Sequence, residues 1–249
     1  MRPDPYTWSL HLEVTVPLAA LAAAYVLAVR RFVAAWWRIA CFVLATVLLL
    51  ATSVTPVDSL SYHLLTVHLL QNVVLAEWAP LLLVVAVPPA LAATLARRQL
   101  IRELVRPPIA LVVWLGTYYL WHLPPAYDTA LEQPPLLLLE HATYLAAGTV
   151  FWWPAVHDEP WRLPSGRRAF YVLAAFVLGS PLGLLLALLP DAAYDFYEGG
   201  DELWGLSPLA DQQIAGVTMA SEQAVVFFAA FAFLFFRFLA EQEADPADV

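Results

Sequence analysis

The 249-residue chain contains no lysine, one cysteine, two methionines and only 13% charged residues. Each scarcity excludes something. Without lysine there is no amine to form a retinal Schiff base, and all twelve basic residues are arginine. Cys41 alone can build neither a disulfide framework nor a thiolate metal cluster, and inside its apolar run it packs as a small apolar group. The charged share is well below the roughly 25% of soluble domains, while 61% of residues are hydrophobic, so the chain reads as an integral membrane protein. There is no zinc-protease HExxH, no Gly-rich phosphate loop, no Ser/His/Asp grouping and no exterior basic patch for nucleic acid.

What is present is a set of seven apolar segments of about 20 residues, the length that crosses the hydrocarbon core. They lie near 10–30, 37–56, 64–91, 107–123, 134–154, 169–190 and 211–238. This predicts an all-α, polytopic membrane helical bundle of seven transmembrane helices in one domain, residues 1–249, surrounded by membrane lipid. Connections are short except for about twenty residues before the last segment. The basic pair Arg30-Arg31 follows the first apolar run, which predicts an uncleaved first span rather than a secretory signal. Eleven of the twelve arginines fall on one side of these spans, Arg2 being the exception, and the positive-inside rule makes that side cytoplasmic. The other side carries Asp58, Asp128, Glu132, Asp191, Asp195, Glu198, Asp201 and Glu202. The N-terminus is therefore expected outside, and the acidic stretch 240–249 is expected as a cytoplasmic, disordered tail.

With orientation set, depth can be read. His11, His63, His68, His122 and His141 map to the outer half and only His157 to the cytoplasmic side. The stretch from His63 to Pro89 tolerates His68, Gln71 and Asn72 on one helical face, and His63 and Glu77 on another, which membrane helices do only for groups facing protein or a bound ion. Glu77 with Pro80, Pro88 and Pro89 predicts a kink there rather than chemistry. Glu140 and His141 sit deep in an apolar run, and Glu140 is expected to orient a histidine of another helix. In the last segment Asp211, Ala215, Thr218 and Glu222 line one face, with Gln212, Gln213 and Met219 close by. Hydrogen bonding between helices and metal ligation both account for these histidines. Imidazole suits copper, iron and zinc, and only Met1 and Met219 could add a thioether.

The ordered stretches HLLQNVVLAEWAPLLLVVAVPP, WHLPPAYDTAL, EHATYLAAGTVFWWP and DQQIAG, from His63 to Met219, resemble the CtaG-type cytochrome c oxidase assembly factors of bacteria and archaea. The resemblance implies a multi-pass plasma-membrane protein that matures a haem-copper oxidase of the respiratory chain by helping to form its copper centres, and that is not itself an enzyme. It matches the family's histidines to His68 and His122, its Glu-His pair to Glu140-His141 and its Asp-Gln-Gln run to Asp211, Gln212 and Gln213. Asn72 stands where family members carry a second histidine.

The expected function is thus a metallochaperone-like assembly factor. Copper would be held transiently by His63, His68, His122 and His141, supported by Gln71, Asn72, Glu140, Asp211, Gln212, Gln213, Met219 and Glu222, and passed to an oxidase subunit. Two alternatives stand beside it: a haem-binding or haem-modifying membrane oxidoreductase, and a metal transporter.

Overall fold

The computed structural model describes residues 2–200 and 202–244; Met1, Asp201 and the 245–249 part of the acidic stretch lie outside the described residues. Proline sets the punctuation of the fold. It opens helix after helix at the first or second position, where its missing N–H costs nothing and its fixed φ suits the turn. The helices in chain order are α1 (Leu12–Arg31), α2 (Trp36–Val54), α3 (Pro56–Ser61), α4 (Leu65–Val73), α5 (Ala79–Ala86), α6 (Pro89–Leu95) and α7 (Gln99–Leu104), then α8 (Pro107–Trp121), α9 (Pro124–Glu132), α10 (Pro134–Val156), α11 (Ser165–Leu188), α12 (Asp195–Glu198) and α13 (Pro208–Ala244). Pro56, Pro80, Pro89, Pro107, Pro124, Pro134 and Pro208 all serve in this way. Between α4 and α5 the backbone widens into a π turn, Val74–Trp78.

Among the described residues, five helical stretches are long and apolar enough to cross a membrane: Leu12–Arg31, Trp36–Val54, Leu65–Ala86, Ser165–Leu188 and Pro208–Ala244. The segments expected at 107–123 and 134–154 are helices α8 and α10, but α8 has only 15 residues and α10 dilutes its leucines with Glu140, His141, Thr143 and Tyr144. Burial makes that composition tolerable, because α10 packs on α5, α8, α9, α11 and the π turn. The third segment ends at Ala86 rather than at position 91, since Pro88 and Pro89 start a separate helix. The long connection before α13 is not bare chain; it carries α12 and a single 3-10 turn, Leu203–Gly205.

The outer surface of this bundle is apolar. Leu27, Val112, Phe170, Val225, Phe228 and Phe236 are more than half exposed, which water would penalise and lipid would not. Helices α11 and α13 form the closest pair through small residues: a Cβ on Gly216 would come within 2.5 Å of the Gly183 carbonyl oxygen.

Charge separates by end of the bundle. At one end Arg38 donates to the Val85 and Val87 carbonyls at 2.5 and 2.8 Å, satisfying the open C-terminus of α5. There too Arg168 reaches the carbonyls of Ala155, Val156 and His157 and pairs with Asp158, and Ser165 donates to Glu241 at 2.7 Å. At the other end His11 meets Asp58 at 3.0 Å and Glu13 at 3.2 Å.

His157, just past the end of α10, packs on the Trp153 ring and donates through Nε2 to the Val84 carbonyl at 3.0 Å. Burial, with Arg38 and Arg168 nearby, lowers its pKa to about 4 from an ordinary 6.5. An unfolded chain protonates this ring near 6.5 while the folded one resists until about 4, so stability is complete above 6.5 and declines as the pH falls toward 4. The expected loss at pH 5 is about 2 kcal/mol. Melting of the detergent-solubilised protein at pH 7.5 and 5 checks it: His157→Gln should flatten the difference, and an equal pH effect in that variant contradicts the assignment.

Candidate functional site

The site is built where α4 begins. Asp211, at the start of α13, accepts the Leu65 and Thr66 backbone N–H groups at 2.5 and 3.2 Å and the Thr66 hydroxyl at 2.6 Å. It therefore caps α4 across the bundle and fixes the rotation at which His68, one turn on, faces inward. Asp211 touches no imidazole. Its neighbour Gln212 accepts from Ala193 N at 2.6 Å and donates to the Leu186 and Asp191 carbonyls, each at 3.2 Å, which folds the segment after α11 over the bundle. Gln213 is exposed.

That folded segment delivers two tyrosines. Tyr194 donates to the His122 carbonyl at 3.1 Å and Tyr197 to the Ser61 carbonyl at 2.7 Å. Tyr127 stacks within 4.1 Å of Tyr194 and 4.9 Å of His68, centroid to centroid. An aromatic wall thus closes over His68 and His122, both essentially inaccessible to solvent.

Inside that wall His68 Nε2 faces Glu140 Oε1 at 3.4 Å, and Asn72 donates to the same oxygen at 2.9 Å. With its Nε2 proton directed at Glu140, His68 keeps a lone pair on Nδ1, and that buried atom has no partner. His122 repeats the arrangement with the nitrogens exchanged. Its Nδ1 donates to the Tyr118 carbonyl at 2.7 Å, the Tyr144 hydroxyl lies 3.3 Å from the same nitrogen, and Nε2 is buried without a partner. His141 also has an unpartnered, enclosed Nε2, and its ring lies 6.2 Å from that of His68. Glu140 Oε2, Gln71 Oε1, Asn72 Oδ1 and the Tyr127 hydroxyl are further buried atoms without a partner, Gln71 having spent its amide on the Thr52 carbonyl at 2.7 Å. Imidazoles with one nitrogen tied and the other free are ready-made metal ligands. Their spacing is looser: among the described residues no three His, Cys, Asp or Glu side chains converge as an ion would require.

The structure brings together His68, His122 and His141 with Glu140 and Asn72. His63 stands apart, its Nε2 donating to the Pro3 carbonyl at 2.7 Å. His141 lines a cavity of about 170 Å³ with His11, Glu13 and Asp58, which adjoins a wider one of about 560 Å³ at the acidic end, so the cluster has an approach from that side. In this mouth burial pushes the Asp58 carboxyl upward, with His11 opposing, and lifts the Tyr62 phenol to about 12.

Deeper, the π turn places Glu77 wholly inside the bundle. Gln223 donates to Glu77 Oε1 at 2.9 Å and to the Tyr118 hydroxyl at 3.0 Å, and the Trp78 indole donates to Glu222. A kink was the expected role of this region. The backbone does widen there, but its consequence is a buried carboxylate, as π turns at functional sites commonly present. Sequence reasoning also missed Tyr127, Tyr144, Tyr194, Tyr197 and Gln223. None of these five had a local signal, since their contacts join residues far apart in the chain; only Tyr118, also unread, had one in its i, i+4 spacing to His122.

The family described as cytochrome c oxidase caa3 assembly factor (Caa3_CtaG) matches the chain over residues 23–241. The match takes in the second half of α1, from residue 23, and all of α2, which the resemblance read from His63 to Met219 covered in hydropathy alone. No curated protein and no solved structure matches the chain.

Proposed function

The chain belongs to the cytochrome c oxidase caa3 assembly factor family, and from that premise we propose that it carries copper transiently for the assembly of a haem-copper oxidase, as a seven-span plasma-membrane protein with its N-terminus outside, its C-terminus cytoplasmic and no catalytic activity of its own. The cargo would rest on His68 and His141, with His122 as a further donor, and would pass to a membrane-embedded oxidase subunit. Glu140 would hold the His68 imidazole so that its Nδ1 lone pair points away from the carboxylate. His63, whose Nε2 is engaged by the Pro3 carbonyl, would drop out of the expected set of four and leave His68, His122 and His141.

The observation that carries this reading is the pair of buried imidazoles, His68 and His122, each with one nitrogen hydrogen-bonded and the other without a partner. Unpaired buried acceptors cost about 1–3 kcal/mol each and persist where something binds them. Incomplete coordination suits a carrier, which must release its ion as well as hold it.

Titration of the purified protein with copper(I) tests the reading. The parent is expected to take up one equivalent or more, and His68→Ala/His141→Ala at least one fewer. A parent that takes up no copper sinks the carrying role and leaves a scaffold that assembles the oxidase without handling its metal.

A further inference from the structure

His122 faces two ways. On one side its ring shares Tyr127 with His68, at 6.4 Å between centroids. On the other, His122 joins Asn72, Glu77, Tyr118, Tyr144 and Met219 around a narrow gap with no room for a water molecule. These residues come from α4, the π turn, α8, α10 and α13, so the space is central to the bundle.

Three of the lining residues hold a buried acceptor without a partner: Glu77 Oε2, His122 Nε2 and Asn72 Oδ1. Water is the ordinary remedy for such atoms, and here it does not fit. Charge makes the need sharper. Glu222 lies beside Glu77, and neither carboxyl forms an ion pair among the described residues. Two adjacent carboxyls in a low-dielectric interior with no basic partner share a proton, and a bound cation is the other way to neutralise them. The donors are a nitrogen, two oxygens and the Met219 thioether, and the thioether selects a soft, weakly hydrated ion over sodium or magnesium.

We propose that His122, Glu77, Met219 and Asn72 form a second, inner site that takes dehydrated copper(I), one layer deeper than His68 and His141. The proposal rests on the copper-carrying reading above and adds to it a second resting place; His122 has one free nitrogen, Nε2, so with both ions bound it serves the inner one and leaves the outer one to His68 and His141. Glu77 supplies the neutralising charge, held in place by Gln223, and the π turn is the backbone device that lets a carboxylate reach this depth.

Copper(I) alone, added to the purified full chain, tests it by stoichiometry and X-ray absorption. The parent is expected to bind two equivalents, with a sulfur scatterer on part of the copper. Met219→Leu, which keeps the side-chain volume, should lose the sulfur scatterer, and Glu77→Gln/Met219→Leu should bind one equivalent. His68→Ala/His141→Ala should also bind one, and should retain the sulfur. A parent with a single equivalent lost only in His68→Ala/His141→Ala, or a sulfur signal unmoved by Met219→Leu, overturns the inner site and leaves the outer one standing. A Glu77→Gln variant with full stoichiometry overturns it as well, and makes Glu77 a carrier of a proton instead. No copper in the parent overturns both.

Discussion

Gly148→Leu is expected to leave no folded protein in detergent extracts, and Gly148→Ala to lose about 3 kcal/mol or more. A Cβ at this position would lie 2.2 Å from the Ala76 carbonyl oxygen and 2.6 Å from the Pro80 ring. The first contact is backbone, so no rotamer change relieves it. Ala76 belongs to the π turn, where the widened spiral swings its carbonyl out toward α10, and the Trp114 indole sits 3.4 Å from the same oxygen. Glycine at 148 is what allows α10 to approach the turn that carries Glu77. Relieving the clash would mean separating α10 from α5 and the π turn, and with them Glu140 from Asn72. Thermal melting followed by circular dichroism checks this; a Gly148→Ala variant melting within a degree or two of the parent would show that the turn yields more easily than its packing implies. Gly116, with open space around its Cβ position, supplies the control in Gly116→Ala.

Glu140→Ala should have the next largest effect, and on two readouts. The substitution strands the His68 Nε2 proton and the Asn72 amide, both now buried with no acceptor, and opens a cavity beside them. A stability loss of about 3–5 kcal/mol is expected for a broken buried network of this kind. Copper(I) affinity should fall about 10- to 100-fold, the usual consequence of losing the partner that orients a ligating imidazole. Glu140→Gln separates the two effects. It keeps an acceptor oxygen for one of the donors, so it should recover much of the stability, while the lost charge keeps the affinity low. Unchanged copper affinity in Glu140→Gln would reduce Glu140 to a packing element.

Much of this protein could be read from its chain alone, and the reasons are local. Apolar share and segment length determined a helical membrane architecture, because a backbone in lipid must satisfy its own hydrogen bonds within each segment. Arginine positions determined that the two ends differ in charge, and Arg38 and Arg168 do gather at one end while His11 and Asp58 meet at the other. Helical periodicity placed His68, Gln71 and Asn72 on an inward face, where all three are buried. The ordered motifs pointed to the family that matches residues 23–241.

Only the tertiary structure decided which of those groups meet. Depth and periodicity put His63 and His68 at one level on different faces, both as expected ligands, and only the fold turned one to Pro3 and the other to Glu140. Asp211 read as a partner for an imidazole, yet it caps α4, because the backbone N–H groups at that helix start were the donors within reach. Glu77 read as part of a kink, yet one extra residue in the turn rotated it to the centre of the bundle. The tyrosine wall over the histidines comes from segments tens of residues apart. Periodicity determines a face; contacts across the bundle and departures from the regular spiral determine what that face touches.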